Sequence, residues 1–252
     1  MRAPLRLVLG IVLAGVAAAG CKSARQVGHF GAEAFYHQRD HYRIRYLPGA
    51  DARAALLPPG WSLQNYAHGP EGRPTVASER SRYWTSYAVE HPRRGTREVR
   101  AERVDLRFVH RPEPAMMWVR TVPTSEEWAD VPLEGLVRGG VLGLAADREA
   151  GLDLLGRNLP VGRTEVRVLG HGPARVDGHP AHYAVFETVR AEAGEADRMT
   201  VVVVRPGEHR WRYGRWTFPM LVVFGYVSAP ARHASFRDDF AGLVSRVDVA
   251  PR

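Results

Sequence analysis

Three histidines lie close together in the C-terminal third of the chain, at His171, His179 and His182. Three imidazoles brought to one point are a common ligand set for Zn²⁺. His179 and His182 stand three residues apart at the start of a predicted strand, and residues at odd spacing on an extended chain point to opposite faces. Two of the three rings would therefore not converge. The pattern favours solvated hairpin histidines, and we predict neither a metal site nor a cofactor.

Arginines recur between residues 93 and 111 and form the most suggestive set of polar side chains. Alternation of apolar and polar residues predicts one strand over 97–110. On that strand Arg100 falls on the apolar side, with Val104, Leu106 and Phe108. The opposite face and the preceding hairpin loop would together present five arginines, namely Arg93, Arg94, Arg97, Arg103 and Arg107.

Clustered guanidinium groups bind phosphate and carboxylate well because each offers paired donors. The arginine face would therefore suit lipid phosphates or an acidic polymer. The alternative is a solvated strand face whose charge is balanced by Glu98, Glu102 and Asp105, of which Asp105 alone shares the arginine side.

Two adjacent acidic pairs, Glu126-Glu127 and Asp238-Asp239, do not suit general acid–base catalysis. Consecutive residues on a helix do not face each other, so neither pair places two carboxylates on one substrate. Acids in the first turn of a helix complement its dipole, and we interpret both pairs in this way. The HExxH, GxSxG, P-loop and GxGxxG motifs are missing from the sequence, and we predict that the protein is not an enzyme.

The single cysteine, Cys21, follows a segment with the features of a signal peptide. Arg2 and Arg6 give the start of the chain a positive charge. Residues 7–19 are all apolar or glycine, and this run is shorter than the roughly 18 to 20 residues that a membrane-spanning helix needs. The segment ends in the small residues 18–20, directly before Cys21. We predict a signal peptide over residues 1–20.

The stretch Ala18-Ala19-Gly20-Cys21 resembles the bacterial lipobox, although leucine is commoner where Ala18 stands. In lipoproteins the cysteine thiol takes a diacylglycerol and the freed amine takes a third acyl chain. Two or more chains anchor a protein stably to a membrane. Lys22 is not the aspartate that retains enterobacterial lipoproteins at the inner membrane, so the resemblance implies the outer membrane. The alternative is a secreted protein with an unmodified cysteine.

Beyond Cys21 the chain has no cysteine for a disulfide, so a hydrophobic core must stabilise it. Hydrophobic residues make up 45% and charged residues 25% of the 252 residues, which is ordinary for a globular protein. We predict a short tether over 21–28 and a single domain over 29–252.

The net charge is +8, almost wholly from arginine. A GC-rich genome explains that bias as well as anion binding does, and an exported lipoprotein has little access to nucleic acid, which we exclude as a partner.

Hydrophobic periodicity predicts a chain made mostly of strands. The runs at 199–205 and 219–229 are continuously apolar, as expected of central strands that are buried on both faces. Asp177-Gly178 is a strong hairpin signal between two further strands. The other predicted strands cover residues 42–46, 81–90, 97–110, 116–122, 164–170 and 180–190.

Two helices are predicted. The first covers 132–146, with Asp130 as its N-cap and with Gly135, Gly139 and Gly143 on one side, where small residues would let the helix approach a sheet closely. The second follows Pro230, with Ser235 as its N-cap and Asp238 three residues later.

The order of elements after residue 176 resembles the PsbP-like fold of photosystem II extrinsic proteins and of bacterial lipoproteins of the DcrB type. The resemblance rests on the turn at 176–181, the strands at 183–189, 201–204 and 221–227, the helix at 236–240 and the closing segment at 244–247. It implies an α+β fold, a largely antiparallel sheet with helices packed on its faces (an α/β/α sandwich). It also implies an accessory or assembly role.

These observations leave three classes of function. The favoured one is a lipid-anchored, non-enzymatic accessory or assembly protein of a bacterial envelope complex, with the membrane and an envelope protein as partners. The second is a binder of an acidic envelope ligand such as lipopolysaccharide or polysaccharide. The third is an enzyme whose site the sequence does not disclose.

Overall fold

A computed structural model describes residues 28–49, 56–63, 67–68, 74–75, 84–91, 95–102, 105–137, 164–190, 196–213 and 215–251. The predicted signal peptide and Cys21 lie outside these ranges. The described strands are β1 Gly28–Phe30, β2 Ala34–His37, β3 Tyr42–Arg45, β4 Trp61–Leu63, β5 Ala67–His68, β6 Pro74–Thr75, β7 Trp84–His91, β8 Gly95–Glu102, β9 Leu106–His110, β10 Ala115–Pro123, β11 Thr164–Val176, β12 His179–Arg190, β13 Ala196–Val204, β14 Trp211–Tyr213, β15 Trp216–Phe218, β16 Met220–Ser228 and β17 Val247–Val249.

Helical structure is sparse among the described residues. One α-helix, α1, covers Arg237–Ser245. Two 3₁₀ segments cover Glu126–Trp128 and Pro230–Phe236, and residues 133–137 are helical. None of the described helices is long and apolar enough to cross a membrane.

Seven strands form the main sheet, in the order β11-β12-β13-β16-β10-β9-β4. Every neighbouring pair is antiparallel. The two continuously apolar runs become β13 and β16, which lie inside the sheet as predicted. The turn between β11 and β12 has positive φ at both Asp177 (48°) and Gly178 (76°), as a two-residue type I′ hairpin requires.

The main sheet is buried on both faces, and the side chains of its central strand β16 show this most clearly. On β16, Val222, Phe224 and Tyr226 point to one side, which we call the first face, whereas Leu221 and Val223 point to the second face. All five side chains are almost completely buried. The absence of polar alternation in the sequence of β16 follows from this double burial.

The first face is covered by elements from both halves of the chain. A small antiparallel sheet, in the order β1-β2-β3-β17, packs Phe35 and Ile44 into the same core as Phe224. Helix α1 adds Phe240 and Leu243 to that core. The helix begins at Arg237, with Asp238 and Asp239 in its first turn as predicted.

Ser235 was expected to cap helix α1 and does not. It lies inside the preceding 3₁₀ segment, and the N-cap position falls on Phe236, which makes no side-chain capping hydrogen bond. Pro230 starts the helical geometry early, because its fixed φ suits the first turn of a helix.

The second face is covered by the segment that follows β10. Leu136 and Val137, in the helical residues 133–137, pack into one core with Trp118 of β10. Arg205, just after β13, fastens this cover, because its Nη2 donates to the carbonyls of Trp128 (3.1 Å) and Val131. The packing of this helix on the sheet agrees with the prediction as far as residue 137, and Gly139 and Gly143 lie outside the described residues.

Gly135 does not serve the close approach that its spacing suggested. It is exposed, and a Cβ placed on it would find Val131 Cγ1 at 3.7 Å as its nearest neighbour. Helical geometry also begins after Pro132, whose carbonyl accepts from Leu136 N, rather than at the predicted Asp130 cap. The close approach occurs on the sheet instead, where a Cβ on Gly225 would lie 2.2 Å from Trp118 Cζ2.

The predicted strand over 97–110 is divided in two, which corrects the sequence analysis. β8 pairs with β7 in a separate two-stranded sheet, whereas β9 belongs to the main sheet between β10 and β4. His91 opposes Gly95, so the predicted hairpin is present, although residues 92–94 lie outside the described ranges. Two further small hairpins are formed by β5 with β6 and by β14 with β15.

Candidate functional site

The arginines of the predicted anionic face do not share one strand. Arg97 lies on β8 and Arg107 on β9, in different sheets. Arg93, Arg94 and Arg103 lie outside the described residues. The single strand that was predicted to align these arginines is therefore wrong, because the pairing partner changes between residues 102 and 106. The anionic face itself stays a prediction.

Arg107 itself is half-buried on the second face of the main sheet. It stands opposite Trp118, and its Nε donates to Met116 Sδ at 3.0 Å. Asp105, expected beside it on a solvent face, is completely buried and lies 3.8 Å from His37 Nε2, measured from Oδ2. These two residues serve the packing of β9 rather than a common solvent surface.

Of the three histidines near the β11–β12 hairpin, the structure brings two together. His171 Nδ1 lies 3.3 Å from His182 Nε2, because His171 opposes Ala184 and His182 opposes Pro173, which makes them diagonal neighbours. His179 is elsewhere, beside Gly207. His182 is buried, so the prediction of solvated histidines is wrong for this residue.

Glu134 lies beside the His171–His182 pair, with its Oε1 4.0 Å from His171 Nδ1. Burial lowers the pKa of His182, the nearby His171 lowers it further, and Glu134 opposes both effects. Within the described ranges no three side chains of His, Cys, Asp or Glu are placed to hold a metal ion.

The two acidic pairs serve local structure. Glu126 and Glu127 lie in the first turn of a 3₁₀ segment, where Arg210 binds Glu126 and the indole of Trp128 donates to Glu127 at 3.0 Å. Asp239 accepts from Trp61 Nε1 at 2.9 Å, which fastens α1 to β4.

A histidine cluster that the sequence analysis missed lies where the turn between β2 and β3 meets the segment that leads into β14. His41 Nδ1 is 3.0 Å from His209 Nε2, and the His37 ring stacks on His41 with centroids 4.9 Å apart. The other stacking partner of His41 is Trp211, at 4.9 Å. Arg39 lies over Trp211, with its guanidinium carbon 4.5 Å from the ring centre.

Burial keeps the imidazoles of this cluster neutral. Burial is the largest cause and the nearby charges of Arg39 and His209 add to it; together they lower the pKa of His37 from 6.5 to about 3 and that of His41 to about 2. Neutral imidazoles can share a proton between Nδ1 and Nε2 in a single hydrogen bond. At neutral pH the cluster therefore forms a hydrogen-bonded aromatic seam between the turn before β3 and the segment that leads into β14.

A second missed cluster surrounds His233, in the 3₁₀ segment before α1. Its Nε2 lies 2.8 Å from Thr200 Oγ1 and its Nδ1 3.2 Å from Ser228 Oγ. The ring also stacks on Tyr226 at 4.1 Å. Burial lowers the pKa of His233 to about 4. A hydroxyl on a neutral imidazole is the contact used in nucleophilic catalysis, but Ser228 and His233 are 2% and 6% exposed, which suits attachment of the 3₁₀ segment to the sheet.

The outer face of the small sheet carries a row of polar and aromatic side chains, which we call the outer row. Cross-strand register aligns His29 with Tyr36, Tyr36 with Arg43, and Arg43 with Asp248. The rings of His29 and Tyr36 stack with centroids 5.3 Å apart. Arg45 stands beside the row, with its Nη2 3.5 Å from Asp248 Oδ1.

Sequence had a signal for the outer row, because the alternation of Tyr42-Arg43-Ile44-Arg45 puts both arginines on one side of a half-buried strand. The histidine clusters had none, because His41 and His209 are 168 residues apart and only the fold brings them together.

The edge strand β11 exposes apolar side chains. Val168 and Leu169 are 38% and 40% exposed, and Tyr183 on the neighbouring β12 is 38% exposed. Exposed apolar groups along the edge of a sheet are typical of sites that contact another protein.

Comparison with known proteins finds likeness only among solved structures. No protein-family model matches the chain, and no curated protein matches its sequence. Cyanobacterial PsbP (CyanoP) from Synechocystis is 12% identical, with a TM-score of 0.43, and the match covers 91% of this chain and 98% of that one. LpqN of Mycobacterium tuberculosis, described as involved in cell envelope biogenesis, is 12% identical, with a TM-score of 0.38 and coverage of 77% and 81%. The assignment of an α+β, largely antiparallel fold rests on the strand order described above.

Proposed function

We propose that this chain is a lipid-anchored, non-enzymatic accessory or assembly protein of a bacterial envelope complex. The observation that carries the proposal is the single cysteine, Cys21, placed directly after Ala18-Ala19-Gly20 and a short apolar run. A lipoprotein-type signal attaches acyl chains at such a cysteine, and two or more chains hold a protein at a membrane. Lys22 favours the outer membrane, with the domain facing the periplasm.

The distance between Cys21 and the first strand supports a role close to the membrane surface. β1 begins at Gly28, seven residues after Cys21. A chain of that length reaches at most about 25 Å even when it is fully extended. The domain would therefore work on partners at or near the membrane.

Contact with a partner protein is supported by the edge of the main sheet. Val168, Leu169 and Tyr183 place apolar side chains in solvent beside an edge strand, where a partner would bury them. Binding of an acidic ligand by the arginines of 93–107 remains a prediction, but its geometric basis is weaker because Arg97 and Arg107 lie in different sheets.

Metabolic labelling with a fatty-acid analogue tests the anchor. Wild-type protein is expected to carry label and to sediment with membranes, and Cys21→Ser is expected to lose both properties. Label retained by Cys21→Ser, or wild type recovered wholly in the soluble fraction, would overturn the proposal.

Crosslinking tests the accessory role. A photo-reactive side chain at Tyr183 is expected to capture an envelope protein, whereas the same group at Asp238, an exposed position on α1 near the opposite edge of the main sheet, serves as the control. Equal capture at both positions, or none at Tyr183, would argue against this edge as the partner site.

A further inference from the structure

The outer row lies on the part of the domain that is covalently nearest to the proposed anchor. His29 is the second residue of β1, and β1 is the edge strand of the small sheet. If Cys21 is lipidated, the short tether holds β1 within about 25 Å of the membrane surface. This step rests on the proposed function.

The residues of the outer row have the chemistry of a membrane interface. Tyr36 and His29 offer stacked rings with polar edges, and Arg43 and Arg45 have long apolar stems that end in charged groups. Such side chains suit the headgroup layer, where the ring or stem meets apolar groups and the polar end meets water and phosphate. The side chains of Arg43 and Arg45 are 40% and 57% exposed, so their remaining donors can reach phosphate oxygens.

The other side of each strand in the small sheet is closed. Phe35, Ile44 and Val247 are buried against the first face of the main sheet. The outer row is therefore the side of the small sheet that is available to a surface beyond the protein.

We infer that the outer row, with Arg45, is the surface that rests on the phosphate-bearing headgroups of the membrane that holds the acyl chains of Cys21. The domain would then stand with the small sheet on the membrane and with the second face of the main sheet turned away. The apolar edge of β11 would be left free for a protein partner.

The layer order supplies a matched pair of label positions for the test. The outer row lies on one side of the main sheet and the helical residues 133–137 lie on the other, and two packing distances of about 10 Å each separate these layers. His29 is exposed, and Gly135 is exposed with room for a Cβ. With Cys21 acylated, His29→Cys and Gly135→Cys each place one reactive thiol in the full chain.

Each lipidated variant is labelled with a fluorophore and reconstituted into vesicles of phosphatidylethanolamine and phosphatidylglycerol that carry a headgroup nitroxide quencher. Only protein that floats with the vesicles is measured. We expect strong quenching at position 29 and quenching at background level at position 135. Equal quenching at both positions, stronger quenching at 135, or none at 29 in floated protein overturns the inference while the anchor stands. Failure of the wild type to float refutes the anchor and the inference together.

A charge reversal tests the role of the arginines. Arg45→Glu in the His29→Cys chain is expected to reduce quenching at position 29. The matched control is Arg232→Glu, because Arg232 is similarly exposed (62%) and also has one long ion pair, with Glu113 at 3.6 Å, but lies in the 3₁₀ segment before α1. An equal reduction by both variants, or none by Arg45→Glu, would contradict headgroup contact through Arg45.

A partner protein is the competing occupant of this face. A photo-crosslinker at position 29 that captures a specific protein in native membranes, together with no quenching in vesicles, would assign the outer row to a protein contact and refute the lipid inference.

Discussion

A close pair of imidazoles lies on each side of the main sheet, and the two pairs differ in how deeply they are buried. On the side of the first face, His41 and His209 are 3.0 Å apart beneath the small sheet, and His41 is 1% exposed. On the side of the second face, His171 and His182 are 3.3 Å apart at the edge of the sheet, where the His171 side chain is 34% exposed. Burial lowers the pKa of one imidazole in each pair, His182 on the second face and His41, to about 2, on the first.

The segments that cover the two faces of the main sheet also differ in their separation along the sequence. The first face is closed by β1–β3 together with α1 and β17, so its core joins residues that are about two hundred positions apart, as in the pairing of Ile44 with Val247. The second face is closed by the segment directly after β10. Loss of the first cover should therefore be a global event, and loss of the second a local one.

The largest effect that tests this comparison is the loss of folding stability at low pH. His37 and His41 have folded pKa values of about 3 and about 2 against 6.5 in the unfolded chain, so the unfolded state binds more protons below pH 6.5. The contribution of these two neutral imidazoles to the free energy of unfolding is complete above pH 6.5 and decreases as the pH falls. Between pH 6.5 and 4.5 the loss for the two groups together is up to about 5 kcal/mol. Urea unfolding at a series of pH values measures this loss.

His41→Phe identifies the source of the acid effect, because phenylalanine keeps the stacking on His37 and Trp211 but does not titrate. We expect the slope of unfolding free energy against pH to fall by about 1.4 kcal/mol per pH unit in this variant. Gly135→Ala is the control, because it lies on the other side of the main sheet and changes no titratable group, and its slope should match that of the wild type. Identical slopes in all three proteins would show that the first-face cluster does not control acid stability.

The next largest effect concerns the packing of Trp118 on the second face. Gly225→Ala would place a Cβ 2.2 Å from Trp118 Cζ2, and displacement of the indole should cost about 3 kcal/mol. Gly135→Ala is the control, because its Cβ meets nothing closer than 3.7 Å and alanine favours a helix by up to about 1 kcal/mol. Thermal unfolding of both variants decides the point, and a Gly225→Ala protein as stable as the wild type would contradict the described packing.

A smaller and local effect is expected at Arg205, which fastens the second cover through the carbonyls of Trp128 and Val131. Arg205→Met keeps the apolar stem and removes both charge-assisted hydrogen bonds, at a cost of about 2 kcal/mol. Hydrogen exchange should show faster exchange at residues 126–137 while β16 keeps its protection. Equal loss of protection in β16 would mean that the second cover opens only with global unfolding.

The smallest effect is expected at the exposed imidazole pair. His171→Ala should change the free energy of unfolding by no more than about 0.5 kcal/mol, because the side chain is partly solvated and its contact is replaced by water. Chemical denaturation at pH 7 measures it. A loss several times larger would indicate that the edge of the sheet is as tightly packed as the buried seam.

Sequence patterns predicted those parts of the fold that local physics determines. The apolar runs of β13 and β16 indicated burial on both faces, and Asp177-Gly178 indicated a turn that needs two positive φ angles. The prediction of one strand over 97–110 was wrong because it also relied on local pattern alone. Alternation reports which side chains are buried, and Leu106 and Phe108 are buried, but it does not report which strand is the partner, and the partner changes after β8.

The candidate sites were harder to predict because their residues are distant in the chain. The i and i+3 rule correctly separated His179 from His182, but it treats one strand at a time. The turn at Asp177-Gly178 sets the register of β11 on β12, and that register makes His171 and His182 diagonal neighbours. The His37–His41–His209 cluster requires the loop before β14 to meet the turn before β3, and no spacing within either segment signals that meeting.

The pairing of β3 with β17 has a consequence for the timing of folding. Synthesis from the N-terminus delivers residues 42–45 long before residues 247–249, so the small sheet stays incomplete until β17 has been made. During that interval the first face of the main sheet lacks part of its cover. The emerging chain can therefore build β1–β3 early, but it cannot close the first-face core until synthesis has passed residue 249.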